Sequence, residues 1–235
     1  NGTIVFWKWI DSKTVGIVTT DAVYHWSLEG TNEPERIFER SAYDAPVQII
    51  NYQASADGKW LMLNGLSVDA EKNFNGVLQV YSVDARASQP TLNAPAACFA
   101  NLTLENRDAP SNLFCFALKD ATGAFQLKII EVGVAKDIAF TKQAPMRFAD
   151  KDFPMGMVAD PKLGILYVMS QSGYMFAYEI QSGKPIFANK ASPSTMFASC
   201  QHPEDGVVTI DLTGRIAHFK LDRENCVSYV CNTMN

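Results

Sequence analysis

Five cysteines (Cys98, Cys115, Cys200, Cys226, Cys231) and three histidines (His25, His202, His218) are the side chains best suited to metal or nucleophilic chemistry in this sequence. A zinc centre usually announces itself through closely spaced Cys and His ligands. No CxxC pair occurs, and the histidines lie far apart in sequence with no ligand spacing to the cysteines, so neither a metal nor a cofactor is expected. Cys98, Cys115 and Cys200 sit among apolar neighbours (AACFA, LFCFAL, MFASC) and read as small core residues of a reducing compartment. There is no GxSxG, no HExxH, no Gly-rich phosphate loop and no paired His. Met155-Gly156-Met157 reads as a strand entry, and Asp150–Phe153 as a solvated polar loop. His25, flanked by aromatic residues in AVYHWSL, reads as a structural histidine. No catalytic residue is assigned.

Composition narrows the partners. The chain has 235 residues, 47% hydrophobic and 19% charged, with 20 basic and 25 acidic side chains and a net charge of -5. That is an ordinary globular balance. Its mild acidity argues against nucleic acid or an anionic membrane as direct partner, because both call for a basic surface. No run approaches the roughly 20 apolar residues of a spanning helix. The opening Asn1-Gly2-Thr3 has no basic leader, so a soluble chain is expected. The sequons at Asn1 and Asn101 read as chance occurrences.

The elements that must position any site are strands. Five pairs of short β-branched and aromatic runs stand out, each joined by a polar connection. They are Thr14–Thr19 with Ala22–Leu28, Lys59–Leu63 with Gly76–Val83, Asn112–Leu118 with Phe125–Val132, Leu163–Met169 with Tyr174–Ile180, and Gly206–Ile210 with Arg215–Leu221. Further strands are expected at Ile4–Ile10, Val47–Tyr52, Ala96–Leu104, Phe153–Val158 and Thr195–Cys200. The pairs recur at roughly 40 to 50 residues, the period of a four-stranded propeller blade. The expected fold is therefore all-β: a β-propeller of about five blades over 1–221. A β-sandwich is the competing fold, but it leaves the period unexplained. Nothing at either end reads as a strand built to close a five-bladed ring, so a fragment of a larger propeller is expected.

Longer motifs add a resemblance. Phe6-Trp7-Lys8-Trp9-Ile10, AVYHWSLEG at 22–30, QIINY at 48–52 and LQVYSVDARASQP at 78–90 resemble the terminal domain of the clathrin heavy chain. LFCFAL at 113–118, IIEVG at 129–133 and SGYMFAYEIQSG at 172–183 continue the likeness in the same order. The resemblance implies a seven-bladed propeller entered at about its third blade, with 222–235 beginning an α-helical linker toward the leg. It also implies a non-enzymatic hub, in which grooves between blades capture short linear motifs of adaptor and accessory proteins during coated-vesicle formation and endocytosis. Each contact is weak, and many copies in a coat provide retention. The implied location is the cytoplasmic face of coated pits and vesicles, with the membrane reached only through adaptors. Other heavy chains and light chains would be met through regions outside this chain. A WD-repeat-like scaffold, or a propeller hydrolase or lyase, remains the competing class, although no Trp-Asp dipeptide recurs at the required period.

Three sites follow from the resemblance. The main clathrin-box groove lies between the first two blades and falls outside this chain. A groove accepting an arrestin-type loop, between the fourth and fifth blades, maps onto Trp60, Val80, Ala85, Arg86, Ala87 and Gln89. Trp60 and Gln89 match the family. Val80 replaces a leucine, Ala87 a valine and Ala85 an arginine, for which Arg86 is the neighbouring substitute. A tryptophan-box site maps onto Gln48 and Ile50, both matching, with its aromatic partner in the absent first blade. From local pattern alone, Trp60 reads more readily as packing than as ligand contact. Trp7, Trp9 and Trp26 are assigned to packing between blades.

Overall fold

The computed structural model describes residues 2–43, 45–105, 107–222, 224–226 and 231. These residues form an all-β propeller of five successive antiparallel sheets, divided into two compact units, Asn1–Pro95 and Ala96–Asn235. The first unit carries two blades. One orders β1 (Ile4–Trp9), β2 (Thr14–Thr19), β3 (Ala22–Ser27) and β4 (Glu35–Glu39); the next orders β5 (Val47–Ala54), β6 (Trp60–Val68), β7 (Phe74–Ser82) and β8 (Ala87–Ser88).

The second unit carries three blades. The third blade is β9 (Ala97–Leu102), β10 (Ser111–Lys119), β11 (Phe125–Glu131) and β12 (Thr141–Met146). The fourth is β13 (Pro154–Asp160), β14 (Ile165–Ser170), β15 (Tyr174–Glu179) and β16 (Pro185–Lys190). The fifth has three strands among the described residues, β17 (Met196–Gln201), β18 (Val207–Asp211) and β19 (Ile216–Phe219). Within each unit the first strands of successive blades pack together, β1 on β5, β9 on β13 and β13 on β17.

The expected hairpins are all present, and the strand-to-blade logic is visible in β14. Its six residues are buried on both faces. Leu166 and Val168 enter the core shared with Leu113, Leu127 and Ile129 of the third blade. Ile165, Tyr167 and Met169 turn the other way, to Met196 and Val207 of the fifth. A middle strand sandwiched between blades must therefore be apolar throughout, and the run LGILYVM is. The inner turns rest on aspartates that accept backbone N–H bonds two residues on, as at Asp120 to Thr122 (2.8 Å) and Asp211 to Thr213 (2.9 Å).

Several expectations need correction. Four strands per blade are expected, but the sequence does not locate the fourth strands β4, β8, β12 and β16, because an outer edge is largely exposed and lacks an apolar face to reveal it. Within this chain Trp7 and Trp9 are 63% and 47% exposed, on the face of the first blade turned away from the second. Strand alternation explains this, since Phe6 and Ile10 take the face of the shared core and Trp7 and Trp9 the opposite one. Cys98 and Cys115 are buried and face each other across β9 and β10, but Cys200 is exposed. Burial raises the Cys98 thiol well above its ordinary pKa. Glu224–Cys226 and Cys231 are helical, with Asp222 accepting the Glu224 and Asn225 amides. The rest of the expected linker lies outside the described residues, apart from Asp222. No helix among the described residues is long and apolar enough to cross a membrane.

Candidate functional site

Most of the arrestin-type residues fall on one face of the second blade. Antiparallel pairing sets Trp60 opposite Ser82, and Ser82 opposite Ala87, making one cross-strand row. The next row sets Met62 opposite Val80, with the Gln89 amide donating to the Val80 carbonyl at 2.7 Å. Residues paired across strands share a face, so Trp60, Val80, Ala87 and Gln89 are neighbours on the same surface. Their exposure differs. Val80 is only 6% exposed and belongs to the packed body of the blade, whereas Trp60 is half-buried and Ala87 and Gln89 are open to solvent.

The turn before β8 completes this surface. The Ser82 hydroxyl accepts the Ala85 amide at 3.2 Å, and the Arg86 amide donates to the Val83 carbonyl at 3.3 Å. Arg86 adopts a left-handed conformation (φ 50°), with its side chain exposed. An exposed ion pair, Lys59 to Asp84 at 3.2 Å, spans the same turn. The result is a shallow apolar strip, Trp60 with Ala87, bordered by a guanidinium and an amide. Such a strip can hold an extended apolar segment, with a few polar groups fixing its register.

The turn is anchored from behind by a residue that pattern reading passed over. Gln79, 1% exposed on β7, donates to the Ser88 hydroxyl and to the Glu39 carbonyl, each at 2.9 Å. Its carbonyl oxygen accepts the Ser41 amide at 2.9 Å. The only signal in sequence was a polar residue inside an alternating apolar run.

Gln48 and Ile50 lie on β5, the first strand of the blade. Gln48 is exposed and paired with Leu66; Ile50 is half-buried in a bulge between Ile49 and Asn51. The bulge takes Ile50 out of strict alternation along β5. Leu66 is six residues from Trp60 along β6, about 20 Å at the rise of a strand, so the two candidate surfaces are separate.

The histidines also depart from expectation. His25 stays apart, but His202 and His218, remote in sequence, stack with ring centroids 4.2 Å apart beside Asp205.

The likeness to known proteins is extensive. No family model matches. A probable clathrin heavy chain 1 from Caenorhabditis elegans is 38% identical over 239 residues, covering 98% of this chain and 14% of the relative. Clathrin heavy chain 2 from Homo sapiens is 37% identical over 238 residues with the same coverage. Among solved structures, the β-propeller domain of Cps50 (Swd1) from Myceliophteria thermophila superposes with a TM-score of 0.62 over 95% of this chain and 66% of that one. At 11% identity that structure speaks for the fold alone. The chain is thus a β-propeller homologue of the clathrin heavy chains, matching them along 98% of its own length and 14% of theirs.

Proposed function

We propose that this propeller is a non-enzymatic peptide-binding hub of a clathrin coat. In this reading it captures short linear motifs of adaptor and accessory proteins on the cytoplasmic side of coated pits and vesicles. The homology to clathrin heavy chains over 98% of the chain carries the reading. The open strip formed by Trp60, Ala87, Gln89 and Arg86 gives it a physical means. An extended peptide would lay apolar side chains on Trp60, while Arg86 or Gln89 bonds its backbone or a polar side chain. Ala87 in place of valine removes apolar depth, so capture by one copy is weak and depends on multivalency in the coat.

The test is titration of an arrestin-loop peptide against the chain, followed by NMR shifts of the Trp60 indole and Gln89 amide. Binding with a Kd of about 0.1 to 1 mM, near -5 kcal/mol, is expected. Trp60→Ala should abolish it. The reading fails for this surface if no shift appears at about 1 mM peptide, or if the alanine variant binds unchanged.

A further inference from the structure

We infer that the fifth blade carries a binding site for a borderline divalent metal ion, zinc or one of its neighbours, formed by His202, Asp205 and His218. Each residue offers one ligand atom, and these atoms lie within 4.8 Å of one another. Three ligand atoms on a tetrahedral zinc at about 2.0 to 2.2 Å sit roughly 3.3 to 3.6 Å apart. Closing the remaining distance takes side-chain rotation of about an ångström. The donor set is chemically selective. Two imidazoles and one carboxylate suit zinc, nickel or copper, whereas calcium and magnesium prefer oxygen alone. Three protein ligands would leave one position open to water.

The fold brings these residues together by means that sequence spacing conceals. His202 directly follows β17, Asp205 lies in the connection to β18, and His218 stands on β19 opposite Val208. The connection is held in place. Lys162 donates to the carbonyls of Pro203 (2.8 Å) and Glu204 (3.0 Å). The fully buried Asp160 carboxylate accepts the Gly206 amide at 2.8 Å. Gly206 has a positive φ of 75°, and a Cβ there would meet the Phe219 carbonyl oxygen at 2.1 Å, so the backbone passes hard against the end of β19. Beside that passage the two imidazoles stack, with ring centroids 4.2 Å apart. His218 Nε2 donates to the Asp205 carbonyl at 2.8 Å, and the Glu204 amide donates to His202 Nδ1 at 3.3 Å. A metal taken at either of these two nitrogens would have to displace the hydrogen bond it makes, while the ligands are already gathered.

A bound ion would cross-link the β17–β18 connection to β19, which pairs only with β18 among the described residues. The metal would thus fasten the outer strand of the blade.

Zinc titration against the chain, with a chromophoric chelator as competitor, tests the site. Cys200 needs separate treatment, because it is exposed and lies in the same cross-strand row as His218, through Val208. The expectation is one equivalent of zinc bound at micromolar concentration. His202→Ala and His218→Ala should each weaken it at least about tenfold, given that even supporting groups around a metal are worth about 10-fold to 100-fold. Cys200→Ser should leave it unchanged. Cobalt(II) should give a tetrahedral visible spectrum without thiolate charge-transfer bands, and zinc should raise the melting midpoint of wild type but not of His218→Ala. The inference is overturned if no zinc binds at about 100 μM, or if binding survives both histidine substitutions. Loss on Cys200→Ser, with thiolate bands in the cobalt spectrum, overturns it equally. All three ligands are partly or fully exposed, so unchanged circular dichroism and melting of the metal-free variants confirm that any loss is local.

Discussion

His25 on β3 and Tyr52 on β5 share a 2.7 Å hydrogen bond that joins the first blade to the second. Their rings meet edge-on with centroids 5.8 Å apart. Tyr52 is fully buried, and Gly16 leaves the space for its ring, since a Cβ there would lie 2.4 Å from it. Burial pushes the Tyr52 hydroxyl pKa up and the His25 pKa down; Glu35 and Asp11 offset the latter only in part.

Folding stability should therefore fall with acid in a window set by His25. A histidine whose folded pKa is depressed adds stability that is fully present above about 6.5 and is lost as pH drops through the folded value. Urea unfolding at pH 7.5 and 5.5 should show a loss for wild type that His25→Gln reduces. An identical loss in both proteins would assign the acid sensitivity elsewhere. At pH 7.5, Tyr52→Phe should cost about 1 to 2 kcal/mol, because it leaves the imidazole nitrogen half-buried without its partner.

Gln79 should matter more than its place in an apolar run suggests. Replacement by alanine removes the side-chain partner of the Ser41 amide, the Ser88 hydroxyl and the Glu39 carbonyl, which water can replace in part, and opens a small void, for about 1 to 3 kcal/mol in all. The check is the chemical unfolding midpoint of Gln79→Ala. A change under about 0.5 kcal/mol, the scale of an ordinary surface substitution, would remove the pin from the account.

The same residue marks what sequence could reveal. The first three strands of each blade were legible, because they carry β-branched and aromatic runs bounded by turn residues, most plainly in the well-buried second strands. The outer strands were not: β16 and β12 expose most of their residues, and nothing in their polarity separates a strand from a loop. Alternation also defeats neighbour-based reading. Cys200 lies among Phe, Ala and Ser yet is exposed, and Trp7 lies between Phe6 and Lys8 yet faces away from the core. At the candidate surface, the grouping of Trp60, Ala87 and Gln89 came from a family likeness, and register gives it a geometric basis; the burial of Val80 needed coordinates. The stacking of His202 on His218 brings together residues 16 apart in sequence, beside a connection held by one glycine and two long-range tethers, which no local pattern encodes.

Asp211 should supply a second, more acidic transition. The Thr213 and Ser192 hydroxyls, helped by the Arg215 and Thr213 amides, hold its pKa at about 2. A carboxylate depressed in the folded state adds stability that is present above its unfolded pKa of about 3.9 and is lost as pH falls toward the folded value. Asp211→Asn should therefore lower stability at pH 6 and flatten its decline between about pH 4 and 2. The carboxylate carbon resonance in a pH titration reads the same group directly, and a midpoint near 4 would contradict the geometry.

The two candidate surfaces should act independently. Gln48 and Trp60 belong to cross-strand rows about 20 Å apart on the second blade, beyond the range of roughly 7 to 10 Å within which substitutions usually couple. Trp60→Ala should remove arrestin-loop binding and leave the response to a tryptophan-box peptide at Gln48 and Ile50 unchanged. Gln48→Ala should do the reverse, and the double variant should show the sum of the two losses. NMR titration of both peptides against the three variants measures this. Loss of both signals in either single variant would mean that the peptides share one surface. It would also favour Trp60 as a packing residue whose removal disturbs the whole blade, consistent with its half-buried position at the start of β6.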